Sequence, residues 1–388
     1  MANPESNPRR LRELAALFLK LGATAFGGPA AHVALMEEEV VRRRRWLTAE
    51  EFLDLVGATN LIPGPNSTEL AIHIGHRRAG WAGLLVAGAA FILPATILVT
   101  GIAWTYVRFG KLPAIEGVLY GVKPVIIAII ARALWTLGRT ALKTWHLAAV
   151  ALLAVGLNLA GVNELLVLFG AGALLAAHHA TRRRPPASPA PLLGSAAPIL
   201  PLAAVGGAAG AGTVAFGLWP LFLFFVKVGS VLFGSGYVLL AFLRADLVER
   251  WQWLDEAQLL DAIAVGQITP GPVFTTATFI GYLLAGVPGA GVATIGIFLP
   301  AFFFVAISGP LIPRLRRSAI AGAFLDGLNA ASLALMAVVT AQLARAGVVD
   351  WLTLALAVIS GALVLWGRLN STWLVLAAAV IGGVIGAR

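Results

Sequence analysis

Two ten-residue segments carry the side chains best suited to chemistry: TNLIPGPNST at 59–68 and GQITPGPVFT at 266–275. Each interrupts an apolar stretch with a Pro-Gly-Pro break, Pro63-Gly64-Pro65 in the first and Pro270-Gly271-Pro272 in the second. Pro65 and Pro272 predict a helix that starts at the break, because a proline's missing N–H is no loss in a first helical turn. That turn has unpaired N–H donors and about half a positive charge, so it attracts an anion. Hydroxyls at Ser67, Thr68, Thr275 and Thr276, with the amides of Asn60, Asn66 and Gln267, add neutral donors. A tetrahedral oxyanion offers only acceptors, so a ring of donors suits it. Lys20 and Lys227 lie in apolar segments, where a charge is costly enough to suggest a role. The structural explanation is that Pro-Gly-Pro closes a tight hairpin and each lysine snorkels to an interface.

A repeated unit positions these residues. The offset of 207 that aligns the two segments also carries Lys20 onto Lys227, Gly22 onto Gly229, Phe26-Gly27 onto Phe233-Gly234, Arg43 onto Arg250, Trp46-Leu47 onto Trp253-Leu254 and Asp54 onto Asp261. After a single-residue slip, an offset of 206 matches Ile74-Gly75 to Ile280-Gly281, Leu93-Pro94-Ala95 to Leu299-Pro300-Ala301 and Gly121 to Gly327. Paired repeats with broken helices are the architecture of membrane carriers, which hold substrate where the repeats meet. Duplication therefore favours binding over a mere turn, since both copies keep the donors as well as the break. Gly27-Gly28 and Gly234-Ser235, which follow the lysine-bearing segments, join the candidate substrate-binding positions.

Composition places the chain in a bilayer. It is 59% hydrophobic and 12% charged, whereas a soluble domain carries about 25% charged residues. Stretches such as Gly80–Val107, Gly117–Thr136 and Gly286–Ser308 can cross about 30 Å of hydrocarbon. The net charge of +10 sits mainly in short clusters between apolar segments, which read as topology signals and not as a nucleic-acid surface. The absence of cysteine excludes disulfides and thiolate metal sites. Arg9, Arg10 and Arg12 ahead of Leu14–Leu21 could pass for a signal peptide. Against cleavage, Lys20 interrupts the apolar run, and the same Phe-X-Lys-X-Gly context recurs internally at Phe225–Gly229.

The expected fold is all-α: a polytopic membrane protein of two inverted helical repeats, each with a re-entrant Pro-Gly-Pro hairpin. The repeats are 1–180 and 216–388, separated by a basic proline-rich linker at 181–197 and an extra apolar stretch at 198–215 that reads as a further transmembrane helix. Thr48 and Glu51 form a predicted capping box, opening a helix that runs to about Leu61 before Pro63 stops it. Both hairpin arms are too short to span at 1.5 Å per residue, and non-helical backbone at membrane depth must be buried in protein or line a cavity. Placing Arg9–Arg12, Arg42–Arg45, Arg77-Arg78, Arg139, Lys143, Arg182–Arg184 and Arg314–Arg317 in the cytoplasm leaves few basic residues outside, mainly Arg108, Lys111, Arg244, Arg250 and Arg345. This puts the N-terminus in the cytoplasm and brings the two hairpins in from opposite sides.

The remaining charged residues divide less cleanly. Asp54 and Asp261 are matched and suit pairing with Arg43 and Arg250. Glu69, His73 and His76 share a helix face at a spacing that could hold a metal, but the set is not duplicated and a packed or solvated histidine pair explains it better. Glu37-Glu38-Glu39 beside Arg42–Arg45 reads as an i,i+4 salt-bridged face. Glu116, Lys123 and Arg132 lie in or near a spanning helix and could line the path. Two rival classes stay open: a cation or metal-ion transporter using Glu69, His73, Asp54 and Asp261, and an intramembrane phosphate-handling enzyme. No acid and base are arranged as a catalytic pair, so an enzyme ranks last, and no cofactor or metal is expected.

The ordered motifs resemble the chromate ion transporter family. In the first repeat these are Phe26-Gly27-Gly28-Pro29, Glu38-Glu39-Val40-Val41, Trp46-Leu47 and Asn60-Leu61-Ile62-Pro63-Gly64-Pro65-Asn66 with Gly75. In the second they are Phe233-Gly234-Ser235-Gly236, Trp253-Leu254, Gln267-Ile268-Thr269-Pro270-Gly271-Pro272 and Leu299-Pro300. The resemblance covers nearly the whole chain, with one departure at Gly28-Pro29, where a further glycine is expected. It implies a two-domain, multi-pass inner-membrane protein that exports chromate and confers resistance, with sulfate as a related or competing anion. The lipid bilayer is then a partner, nucleic acid is not, and a homodimer is compatible with it.

Overall fold

A computed structural model describes residues 8–26, 28–110, 113–182, 214–233, 239–366 and 371–386, and the regular elements among them are helical. The first repeat runs α1 (Pro8–Thr24), α2 (Gly28–Glu37), a π-helix π1 (Glu38–Arg43), α3 (Ala49–Thr59), α4 (Asn66–Phe109), α5 (Pro113–Ala141), α6 (Trp145–Leu159) and α7 (Glu164–Arg182). The second runs α8 (Leu218–Val231), α9 (Leu239–Phe242), π2 (Leu243–Arg250), α10 (Glu256–Ile268), a 3-10 turn (Val273–Thr275), α11 (Thr276–Arg317), α12 (Ala319–Gly347), α13 (Trp351–Trp366) and α14 (Ser371–Gly386). Among these, α4, α5, α7, α11 and α12 are long and apolar enough to cross a membrane, and α6, α8, α13 and α14 are shorter apolar helices. Most of the linker and of the stretch at 198–215 lies outside the described residues, as do Gly27, Gly234 and Ser235.

Local chemistry sets the same boundaries in both repeats. The Thr48 hydroxyl accepts from the Glu51 N–H at 3.1 Å, and the Glu51 carboxylate accepts from the Thr48 N–H at 3.0 Å. The matched pair Asp255 and Gln258 closes the equivalent box at 2.7 and 3.1 Å. A cap of this kind is worth about 1 kcal/mol. The helix opened by Thr48 ends at Thr59, two residues before Leu61, with Asn60 as its cap. The residue before a proline is pushed out of helical geometry, so the chain leaves the helix ahead of Ile62-Pro63. Pro65 is the N-cap of α4, one position ahead of the first turn in which the sequence placed it.

Each long helix is interrupted soon after the hairpin. Gly80 has φ 61° and ψ −147°, and Gly286 has φ 60° and ψ −147°, a region open essentially to glycine alone. The reversals split α4 into α4a (66–78) and α4b (81–109), and α11 into α11a (276–284) and α11b (287–317). Gly75 lies backbone to backbone on Gly83, and Gly281 on Gly289, so each short arm folds back along its long partner.

Packing exchanges elements between the repeats. α1 lies on α4 and α8 on α11 within each repeat. There Gly22 abuts the Phe91 carbonyl and Gly229 the matched Ile297 carbonyl. Beyond that, α5 packs on α13 and α14 of the second repeat, while α12 packs on α6 and α7 of the first. Gly121 meets Ala378 and Gly382, and Gly327 reciprocally meets Ala171 and Gly172. Small residues let these helices approach closely, which is how helices associate where lipid removes the hydrophobic drive.

Candidate functional site at the hairpin tips

The first hairpin is α3, the Pro-Gly-Pro tip and α4a. Its base is tied by Glu51 to Arg77 at 3.0 Å, and Arg78 binds Glu13 at 2.8 Å while stacking 4.3 Å over Trp46. The Thr48 backbone N–H, and then Arg77, hold the Glu51 carboxyl below the ordinary carboxylate range. A cleft lined by Arg10, Trp46, Arg77 and Arg78 opens at this base.

Both tips reach into the opposite repeat. The Gly64 N–H donates to the Leu232 carbonyl just beyond α8, at 2.7 Å, and the Gly271 N–H donates to the matched Ala25 carbonyl just beyond α1, at 3.0 Å. Gly64 has φ 140° and Gly271 φ 88°, values that L side chains rarely adopt. A Cβ on Gly271 would lie 2.7 Å from the Ala95 side chain and 2.9 Å from the Gly22 carbonyl oxygen.

The first tip gathers the predicted donors. Pro63, Gly64, Pro65, Ser67 and Thr68 are buried. Asn66 Nδ2 donates to Asn60 Oδ1 at 3.0 Å, bracing the exposed side of the turn. The N–H groups of Thr68 and Glu69 donate to the Pro65 carbonyl, which leaves those of Asn66 and Ser67 as the open donors of the first turn. The buried Thr68 hydroxyl has no partner among the described residues. Glu69 is 0% exposed, neither carboxylate oxygen has a partner among the described residues, and its side chain folds back onto Gly64. One turn on, His73 is buried with Nε2 unpartnered.

The second tip differs from expectation. It starts as a 3-10 turn, and the hydroxyls of Thr275 and Thr276 donate to the Pro272 and Val273 carbonyls, each at 2.9 Å. Those donors are used locally because a short polar side chain near a helix start finds the nearest backbone acceptor. Pro270, Gly271 and Pro272 are buried, and Gln267 is half-buried in the last turn of α10. Gly28 opens α2 at φ 76°.

Neither lysine stands alone. Lys20 pairs with Glu39 at 3.0 Å, and Lys227 pairs with the matched Asp246 at 2.5 Å. Both acids sit on the π-helices, which sequence reasoning missed. A π-helix widens the turn so that residues five apart align, and Glu37–Arg42, Glu38–Arg43, Glu39–Arg44 and Arg244–Glu249 all pair at that spacing. The expected i,i+4 ladder survives as Glu38–Arg42 and Glu39–Arg43. Lys20 first, then Arg44, holds the Glu39 carboxyl below its ordinary range against partial burial. The 207 offset already aligns Glu39 with Asp246 and was the signal available for these partners.

The matched aspartates separate. Asp54 is exposed, whereas Asp261 is buried, 3.0 Å from Lys123 and accepting from the Tyr106 hydroxyl at 2.8 Å. The expected pairing with Arg43 and Arg250 is therefore replaced: Arg43 holds Glu38 and Glu39, and Arg250 holds Asp246. Lys123 thus joins α5 of one repeat to α10 of the other, a contact with no local trace in the sequence.

A family described as "Chromate transporter" matches residues 12–176 and again 219–383. The "Chromate transport protein" of Cupriavidus metallidurans is 34% identical over 380 residues, covering 96% of this chain and 92% of that protein. A "Probable chromate transport protein" of Synechococcus elongatus is 32% identical over 394 residues, covering 97% and 95%. The "Chromate transport protein" of Pseudomonas aeruginosa is 31% identical over 402 residues, covering 97% and 93%. No solved structure matches the chain.

Proposed function

The chain belongs to the chromate transporter family, and we propose that it exports chromate, or a related oxyanion such as sulfate, across the inner membrane. The observation that carries this reading is the first hairpin tip, where a buried helix start combines open N–H groups with the unpartnered Thr68 hydroxyl. Asn60, Gly64, Asn66, Ser67 and Thr68 are the proposed binding residues, and the second tip, through Gly271 and Pro272, supplies the wall that seats against the first repeat. The cleft with Arg10, Arg77 and Arg78 suits anion access, because a basic mouth raises the local anion concentration.

Export follows from charge. A dianion leaving a negative-inside cell gains about 4.6 kcal/mol per 100 mV, which sustains a concentration ratio of more than about a thousandfold. A cation route has less to use. Of its four candidate residues Glu69 and His73 are buried one turn apart, but Asp54 is exposed and Asp261 is committed to Lys123 and Tyr106. Among the described residues no three acids or histidines gather as a metal site.

In this reading the 1–180 and 216–388 repeats are inverted and their hairpins are re-entrant. Gly88 of α4b lies against Phe302 of α11b, whereas its own counterpart on α11b at the 206 offset is Thr294. Such a displaced pairing supports helices running in opposite directions, related by an axis in the membrane plane. The chain has no native cysteine, so Arg77→Cys and Arg250→Cys should label from opposite faces; labelling from one face would end the inversion.

The functional test is flux into proteoliposomes under an imposed potential, comparing chromate, sulfate, molybdate and phosphate. Potential-driven movement of chromate or sulfate is expected. No oxyanion flux, or flux of a divalent metal that oxyanions do not compete with, would sink the proposal.

A further inference from the structure

We propose that oxyanion binding at the first tip is linked to protonation of Glu69, so that the site takes up a proton when it binds its anion. This rests on the reading of that tip as the anion site. Glu69 occupies the first turn of α4, the same helix start that would hold the anion. Helical side chains lean toward the N-terminus, and this one folds onto Gly64 at the tip. It is 0% exposed, with no partner for either oxygen among the described residues. Ile62, Ile72, Leu84, Ala301 and Val305 form an apolar cluster at the same place.

The fold does not require an acid here. The matched residue is Thr276, whose hydroxyl bonds the Val273 carbonyl one turn back. Nor does a neighbour neutralise Glu69. Among the elements packed on α4, α1 carries the exposed Arg9, Arg10 and Arg12, with Glu13 tied to Arg78 and Lys20 tied to Glu39. α2 carries Glu37, tied to Arg42, and His32, bonded to the Ala25 carbonyl; α3 carries Glu51, tied to Arg77, and the exposed Glu50 and Asp54. On α10 Asp261 holds Lys123 and Glu256 holds Arg244, the 3-10 turn has no ionisable group, and the described α11 side chains include no charge. On α4 itself His73 and His76 follow, His76 against Trp81, and then Arg77 and Arg78, tied to Glu51 and Glu13.

An ionised carboxylate and a dianion at one helix end repel each other strongly where water is excluded. With a proton taken from solvent, the same group is neutral and its O–H becomes one more donor for the anion. Linkage is reciprocal, so the anion must also favour the proton.

The test is equilibrium binding of sulfate to the purified full-length protein from mildly acidic to mildly alkaline pH, a range in which sulfate stays a dianion. Affinity should weaken as pH rises, by up to about tenfold per pH unit for one linked proton. Glu69→Gln should bind sulfate with no pH dependence, and His73→Gln should keep the wild-type slope. Adding sulfate to the wild-type protein in weak buffer should draw protons from solution, a readout that needs no variant to fold. A flat wild-type profile, a slope that persists in Glu69→Gln, or a slope lost only in His73→Gln would overturn the linkage. Absence of both sulfate and chromate binding at every pH would instead bring down the anion site on which it rests.

Discussion

The two hairpin tips share a backbone and differ in chemistry. Each is opened by a capping box, turns through a positive-φ glycine and donates that glycine's N–H to the opposite repeat. After the turn they part. The first presents Asn66, Ser67, an unpartnered Thr68 hydroxyl and the unpartnered Glu69. The second presents Val273, a buried Phe274 and two threonines whose hydroxyls cap their own backbone. A similar divergence separates the exposed Asp54 from Asp261, which bridges the repeats through Lys123. Duplication thus preserves what the main chain needs while side chains diverge, and in the proposed reading one tip serves the ligand and the other supports it.

The strongest way to break this contrast is at the tip glycines. Gly271→Val drives a side chain into the Gly22 carbonyl and Ala95 at a strained φ, so it should cost roughly 3–5 kcal/mol and much of the folded protein. Gly64→Val strikes mainly the far end of Glu69, so more of it should reach the membrane folded, but without oxyanion flux. Thermal unfolding in detergent beside flux separates the two. If Gly64→Val is the less stable variant, the first tip is the structural one and the assignment must be exchanged.

Next come the matched ion pairs. Lys227→Ala leaves Asp246, with a side chain 2% exposed, to Arg250 alone, and should cost roughly 2–3 kcal/mol. Lys20→Ala leaves Glu39 with both Arg43 and Arg44 and, since the Lys20 side chain is 57% exposed, should cost under about 1 kcal/mol. Equal losses of stability would show that the two π-helix pairs are equivalent after all.

What the sequence disclosed follows the same division. The duplication, the capping box at Thr48, the tip glycines and the long apolar helices were legible, because each depends on residues close together or on a constant offset. The π-helices were not, since Glu37–Arg45 fits an i,i+4 ladder equally well on paper and only side chains five apart reveal the wider turn. Lys123–Asp261 was hidden because it joins residues 138 apart in different repeats. The local bonds of Thr275 and Thr276 were not legible, because a hydroxyl near a helix start serves a ligand or its own backbone, and residue type does not decide which.

Asn66→Asp sharpens the contrast at smaller amplitude. A carboxylate at a helix start stabilises the helix, and the bond it replaces, to Asn60, is exposed. Lost flux would therefore come from repelling the anion, by about tenfold, or about 1.4 kcal/mol. Val273→Asp at the matched position should lose less. Flux losses of equal size in the two variants would mean that both tips face the anion.

The smallest effect is a test for sameness. Gly80 and Gly286 reverse the chain with φ of 61° and 60° at a common ψ of −147°. No heavy atom lies near a Cβ built on Gly286, so an alanine there meets strain and not a clash. Holding an L residue in that region costs of order 1–3 kcal/mol, partly offset because alanine also restricts the unfolded chain by about 0.4–1 kcal/mol. Gly80→Ala and Gly286→Ala should therefore each destabilise by about 1–2 kcal/mol, equally, with both proteins still moving oxyanion. Unfolding midpoints of the two variants in the same detergent provide the measurement. A gap of more than about 1 kcal/mol between them would mean that the reversals carry different loads, and the claim that duplication preserves the main chain while side chains diverge would fail where it ought to be simplest.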